Sequence, residues 1–281
     1  MNASHQPFAA GRPPAVEVPG ASVPIRFDDG AAYERYMGLW SREVGLRFLD
    51  WLALPAGGRW LDIGCGNGAF TELLPDRVAP AAIDGIDPSA AQLAHARARP
   101  IGARARFVEG DAMALPYADG GFDAAVMPLV IFFVPDPARG VAEMRRVLRP
   151  GGTAAAYAWD MAGGGFPYHL AQQGLREAGV DVPRPPSPEA SDLPALVGLW
   201  QGAGLVDVCT EVITVRRRWP DFEAWWQTLR DAPSMGARIA GLDAERSRQL
   251  KERLCARLQP EADGSLWLSA RAHAVRGRVP G

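Results

Sequence analysis

The 281 residues, 48% hydrophobic and 22% charged, supply ample apolar material for a large core and exclude wholesale disorder. A formal net charge of -2 gives no overall basic field, which argues against nucleic acid as substrate or partner. No apolar run approaches the roughly 18 residues of a membrane span, and three scattered cysteines, Cys65, Cys209 and Cys255, show neither metal-ligand spacing nor a disulfide framework, which fits a reducing compartment and predicts a cytoplasmic protein with no metal.

Residues 1–30 lack a basic start followed by an apolar run and carry Pro7, Pro13, Pro14, Pro19 and Pro24 among small residues, so they read as a flexible tail. From Ala32 to Leu52 large apolar residues (Tyr33, Tyr36, Met37, Trp40, Val44, Phe48, Trp51, Leu52) recur at intervals of three and four, one stripe of an amphipathic helix. Pro55-Ala56-Gly57-Gly58 breaks it. Short apolar strands then alternate with helix-length segments, as in a parallel sheet. The strands are expected at Arg59–Ile63, Ala81–Ile86, Ala105–Val108, Phe122–Met127 and Thr153–Trp159, and the helices at Ala69–Leu74, Ser89–Ala98 and Ala138–Leu148.

Asp136 and Pro137 suit the cap and first turn of the last of these helices, and Pro150-Gly151-Gly152 its end. Beyond Trp159, Gly163-Gly164-Gly165 and the prolines between Pro183 and Pro188 mark loops around a helix at Tyr168–Ala178. A helix at Leu193–Ala203, a strand at Val206–Val215, a helical segment at Asp221–Leu258 and a strand at Leu266–Val275 complete the chain. In the last strand Leu266, Leu268, Ala270, Ala272 and Ala274 share one face.

Gly64, Gly66 and Gly68 follow a strand and precede a helix, so a ligand could approach their backbone beside free helix amides. Gly64, Gly66 and Ala69 also satisfy G-x-G-x-x-A, and Asp87 lies near the spacing of a ribose carboxylate, so a dinucleotide site is an alternative. Asp62 separates the two, because an ionised carboxylate is awkward beside a pyrophosphate and suited to an ammonium group. Asp87 can accept from ribose hydroxyls and Asp111 from an exocyclic amine. These carboxylates end successive strands and so line one crevice; each alone could be a helix cap or a solvated loop acid.

The runs Trp60-Leu61-Asp62-Ile63-Gly64-Cys65-Gly66-Asn67-Gly68, Gly85-Ile86-Asp87-Pro88-Ser89, Gly110-Asp111-Ala112 with Leu115-Pro116 and Phe122-Asp123, and Leu148-Arg149-Pro150-Gly151-Gly152 resemble the motif series of class I S-adenosylmethionine-dependent methyltransferases. The similarity is closest to the small-molecule branch that includes the ubiquinone and menaquinone biosynthesis methyltransferases, and it covers about residues 32–160. It implies a doubly wound, Rossmann-like α/β fold with a seven-stranded sheet whose antiparallel last strand, Leu266–Val275, lies next to Val206–Val215. It also implies S-adenosyl-L-methionine as cofactor, with Gly64, Cys65 and Gly66 meeting the methionine and ribose parts by backbone, Asp62 the methionine end, Asp87 and Pro88 the ribose region, and Asp111 with Ala112 the adenine.

The resemblance divides the chain into a tail, 1–30, and one domain, 31–281, made of a helical lid (31–56), a cofactor-binding half (57–160) and substrate-side inserts with the last two strands (161–281). Tyr36 and Trp40 on the lid are expected to offer ring faces to the sulfonium, and Met127 to line the methionine channel; plain packing is the other reading of the two aromatic rings. Phe132-Phe133 stands where many relatives carry paired histidines, either as core or as a wall of the acceptor pocket. No catalytic base is assigned; His169 and Asp160 are the nearest candidates. The expected function is methyl transfer by in-line displacement to a small-molecule acceptor in a closed pocket, walled by residues such as Phe166, Tyr168, Trp225, Trp226 and Met235. The alternatives are an NAD(P)-dependent oxidoreductase and a non-catalytic module that binds S-adenosylmethionine.

Overall fold

The structure, a computed structural model, describes residues 34–281; the expected tail and Tyr33 lie outside the described residues. After a five-residue π-helical turn, Glu34–Gly38, the elements are α1 (Leu39–Leu52), β1 (Arg59–Ile63), α2 (Leu74–Val78), β2 (Ala82–Asp87), α3 (Ala90–Ala98), β3 (Arg106–Glu109), β4 (Phe122–Pro128), α4 (Pro137–Val147), β5 (Leu148–Trp159), α5 (His169–Glu177), α6 (Leu193–Gly202), β6 (Val206–Trp219), α7 (Phe222–Asp231), α8 (Pro233–Ala240), α9 (Ala244–Arg257) and β7 (Leu266–Arg278).

The strands form one seven-stranded sheet in the order β3-β2-β1-β4-β5-β7-β6. β1 pairs in parallel with β2 and β4, so successive strands depart from it in opposite directions and leave a crevice at its carboxyl end. β7 runs antiparallel between β5 and β6, as the resemblance implies. The register Asp62↔Gly85, Ile63↔Ile86 and Asp87↔Glu109 brings the carboxyl ends of β1, β2 and β3 level.

Most elements follow the periodicity of the sequence, and the departures have local causes. The expected helix at Ala69–Leu74 is instead a turn, a 3-10 stretch at Thr71–Leu73 and then α2, because Pro75 occupies the first turn of α2 and cannot sit deeper in a helix. β6 runs on past Val215 to Trp219: Arg216 and Arg218 point to solvent while Arg217 stacks over the Trp219 ring at 4.5 Å, so the charged run keeps the strand alternation. The single helical segment expected over Asp221–Leu258 divides into α7, α8 and α9, broken at Ala232-Pro233 and at Gly241-Leu242-Asp243.

β4 and β5, central to the sheet, are nearly continuous in buried apolar residues, with Ala124, Ala125, Val126, Ala154, Ala155 and Ala156 all at 1% exposure or less. Small side chains there let helices approach closely. α1 packs on β6 and β7, with Trp40 against Trp219 at 5.7 Å between ring centroids, and α6 sends Trp200 Nε1 to donate to the Ala154 carbonyl at 2.9 Å. In β2, a Cβ on Gly85 would come within 2.7 Å of the buried Phe107 ring and 3.0 Å of Cys65 Sγ. Gly85→Ala should therefore destabilise the fold by about 1–3 kcal/mol through overpacking, measured as a lower urea midpoint with an unchanged denaturant slope; a midpoint equal to that of the wild type would mean that Phe107 has room to move.

Candidate functional site

The crevice at the end of β1 deepens into a cavity of about 650 Å³. Its floor is the loop that leaves β1. The Gly64 and Cys65 amides donate to the Ile86 carbonyl at 2.7 and 3.0 Å, which ties the loop to the end of β2. Gly64 has φ +72°, and a Cβ there would fall 2.5 Å from Val130, so only glycine admits this approach of the 128–135 segment. Gly66 has φ +52° and open space where a Cβ would stand, which leaves its backbone bare on the cavity side.

Asp62 and Asp87 lie at two depths of this site. The Gly66 and Ser89 amides donate to separate oxygens of the half-buried Asp87 carboxylate, each at 2.9 Å, and so fix its plane. Burial raises its pKa, and those amide bonds oppose the rise. Asp62 is fully buried. Thr71 Oγ1 donates to its Oδ2 at 2.6 Å, while Oδ1 has no hydrogen-bond partner among the described residues. Burial, opposed by the Thr71 bond and aided by the charge of Asp87, raises its pKa from 3.8 to about 7. A buried carboxylate oxygen without a donor is costly, and a cationic donor would relieve it.

Asp111 is exposed after β3; the Met113 amide donates to its Oδ1 at 2.8 Å, and Ala112 and Met113 continue the wall. Of the residues singled out in the sequence, Asp62, Gly64, Cys65, Gly66, Asp87, Pro88, Asp111 and Ala112 line the cavity. Tyr36, Trp40 and Met127 do not. Met127 is buried with its terminal methyl toward Gly140 of α4, and Trp40 is buried against β6. The stripe that makes α1 amphipathic is the face it buries, and the neighbouring face, with Gly38, Leu39, Ser41 and Arg42, meets the cavity.

Sequence reasoning also missed the wall formed by Phe70, Leu129, Val130, Val134 and Tyr157. Leu129 holds φ +61°, a strained state for a leucine, with its amide donating to the Tyr157 carbonyl at 2.8 Å. No sequence pattern marks such a residue. Phe133 lines the cavity, whereas Phe132 is buried beside it. Phe166, Tyr168, Trp225, Trp226 and Met235 lie off its wall and pack in the interior, Phe166 being half-buried. His169 is absent from the lining, and Asp160 is held by Arg271 Nε at 2.8 Å and the Gly163 amide at 2.7 Å.

Sheet order, antiparallel last strand and a glycine loop flanked by acids at the β1 and β2 ends define the class I methyltransferase fold. Residues 61–156 match the model of a methyltransferase domain family. The chain is 39% identical over 109 residues to the 2-phytyl-1,4-naphtoquinone methyltransferase of Thermosynechococcus vestitus, a stretch that is 38% of this chain and 48% of that protein. It is 40% identical over 107 residues to the demethylmenaquinone methyltransferase of Roseiflexus castenholzii, 37% of this chain and 43% of the relative. The chain thus spans less than half the length of the curated relatives it matches. Phosphoethanolamine N-methyltransferase 2 of Haemonchus contortus, solved with phosphomonomethylethanolamine and S-adenosylhomocysteine, shares the fold at a TM-score of 0.56 and 18% identity, over 89% of this chain and 56% of that one. Among the described residues no helix is long and apolar enough to cross a membrane, and no cluster of metal-ligating side chains occurs.

The raised pKa of Asp62 makes stability depend on pH with a definite sign. Without ligand, the folded state keeps a proton on Asp62 up to about pH 7, whereas the unfolded chain releases it near 3.8. Stability is therefore lost as pH rises between those values and is level above them. Asp62→Asn should melt with the wild type near pH 4 and above it at pH 8 by differential scanning fluorimetry; an equal or lower melting temperature at pH 8 would show that the ionised carboxylate is not under strain.

Proposed function

We propose that the chain binds S-adenosyl-L-methionine in the cavity at the end of β1 and transfers its methyl group to a small, largely apolar acceptor. The observation that carries this reading is Asp62: a fully buried carboxylate with one oxygen lacking a donor, on the cavity wall beside a bare glycine backbone. An ammonium group satisfies that oxygen, and a pyrophosphate would be repelled by it.

The residues divide the ligand by chemistry. Asp62 takes the ammonium of the methionine end. Arg42, exposed on α1 and without an ion-pair partner among the described residues, lines the same cavity and suits the carboxylate of that end. Asp87, its plane fixed by two amides, accepts from ribose hydroxyls, and Asp111 with Ala112 receives the adenine edge. S-adenosylmethionine supplies a methyl group on a sulfonium, already activated toward displacement. The protein's part is alignment and exclusion of water, which can supply on the order of 7–11 kcal/mol.

Leu39, Phe70, Val130, Phe133 and Tyr157 give the rest of the cavity an apolar and aromatic lining, which favours an acceptor that is mainly apolar. Two curated relatives are named for a naphthoquinone and for demethylmenaquinone, which agrees with such an acceptor. Among the described residues no histidine lines the cavity. Proton removal, where the acceptor needs it, falls to Tyr157 or to solvent.

Calorimetric titration tests the reading. The protein should bind S-adenosylmethionine or S-adenosylhomocysteine at micromolar concentration and NAD or NADP far more weakly; tighter binding of a nicotinamide dinucleotide would favour the oxidoreductase instead. Asp87→Ala should lose charge-assisted hydrogen bonds of about 1.5–3 kcal/mol, a ten- to hundredfold loss of affinity. Asp123→Ala is the control: Asp123 accepts from the Arg59 amide at 2.7 Å at the opposite end of the sheet, and its loss should lower stability without changing affinity.

A further inference from the structure

The segment between β5 and α5 reaches from the sheet to the start of α1. Its base is pinned. Asp160, 4% exposed, accepts from Arg271 Nε at 2.8 Å and from the Gly163 amide at 2.7 Å, and the Gly165 amide donates to the Asp160 carbonyl at 2.7 Å. The Arg271 amide in turn donates to the Gly165 carbonyl at 2.9 Å. Gly163 and Gly165 have no room for side chains: a Cβ would stand 2.3 Å from Asp160 Oδ2 and 2.6 Å from the Arg271 carbonyl respectively.

At the far end of the segment stands Tyr168, fully buried. Its ring lies on that of Tyr36 at 4.0 Å between centroids and 14° between planes. Its hydroxyl donates to the Tyr36 backbone carbonyl at 2.7 Å, a bond buried from solvent. Tyr36 is the middle residue of the π-helical turn Glu34–Gly38. A π-helix is rare and occurs mostly as a single turn, so an outside donor to one of its carbonyls adds support that the turn's own sequence neighbours do not supply. Gly38, the last residue of this turn, and Leu39 directly after it are cavity wall, as are Ser41 and Arg42 one turn on.

We infer that Tyr168 is a positioning residue for the cofactor cavity: by donating to the Tyr36 carbonyl it holds the π-turn, and through it sets where α1 presents Gly38 to Arg42 to the bound cofactor. The inference rests on the cofactor reading above. It gives the segment after β5 a role other than acceptor wall, since neither Phe166 nor Tyr168 touches the cavity. It also accounts for a phenol rather than a phenyl ring at a fully buried position, because the hydroxyl has a specific task there.

Tyr168→Phe removes the hydroxyl and keeps the stacked ring. Trp200→Phe is the matched control, since it also removes one buried bond to a backbone carbonyl, that of Ala154, at a place remote from the cavity lining. Three measurements are made on each full-length protein: thermal midpoint, amide hydrogen exchange over residues 36–42, and the dissociation constant for S-adenosylhomocysteine. Tyr168→Phe should exchange faster at residues 36–42 and bind three- to tenfold more weakly. Trp200→Phe should lower the midpoint by as much or more, with affinity and exchange at 36–42 unchanged. The inference is overturned if Tyr168→Phe leaves exchange unchanged, if exchange rises but affinity does not fall, or if Trp200→Phe weakens binding equally. A wild-type protein that fails to bind S-adenosylhomocysteine at all would overturn the cofactor reading itself, and that result is seen before any variant is compared.

Discussion

The site depends on one unfavourable arrangement, a carboxylate taken fully out of water with a single hydrogen bond to support it. Thr71 is the one side chain that supports Asp62 by a hydrogen bond among the described residues, and the fold holds Asp62 in place through the sheet. β1 lies between β2 and β4, so its position is fixed on both sides by ladders that Asp62 does not influence. Thr71 reaches it from the 3-10 stretch that Pro75 forces to end where it does. Strain in a binding site persists only where the surroundings over-determine it, and here the surroundings are the most deeply buried strands of the sheet.

The same logic extends to the walls. Gly64 and Val130 touch so closely that the loop after β1 and the segment after β4 form one rigid boundary, and Leu129 is held in a left-handed conformation beside them. The cavity thus has a stiff side, made by strand ends, and a side made by α1, whose position comes from packing on β6 and β7 and from the contact with Tyr168. Polar recognition is concentrated on the stiff side. The apolar lining is shared by both.

What could be read in the sequence was the half of the molecule where chemistry and local geometry coincide. Glycines and acids at strand ends announce themselves, since Asp62, Gly64, Gly66, Asp87 and Asp111 are residue types that a buried strand end does not otherwise need. Strand and helix positions in that half follow from hydrophobic period, with boundaries off by one to a few residues. Illegible were features set by tertiary contact. Which face of α1 meets the cavity cannot be told from its apolar stripe, because the stripe reports burial and not ligand. Tyr36 and Trp40 were chosen for ring chemistry that their burial puts to a different use, and the strained Leu129 has no signature in composition at all. The aromatics of the later inserts likewise read as pocket walls and turned out to be packing.

The place of β7 decides what a chain cut short of it would contain. The strands β1 to β5 are contiguous in the sheet, and β5 pairs on its outer side with β7. β6 cannot join those strands directly, because β7, which lies between β5 and β6, follows β6 in the chain. α1 packs on β6 and β7 and, through Phe48, against Phe70 and Tyr157, so it rests on both parts of the molecule. A chain truncated before β7 would thus carry the acidic half of the site with one wall of the cavity only partly seated.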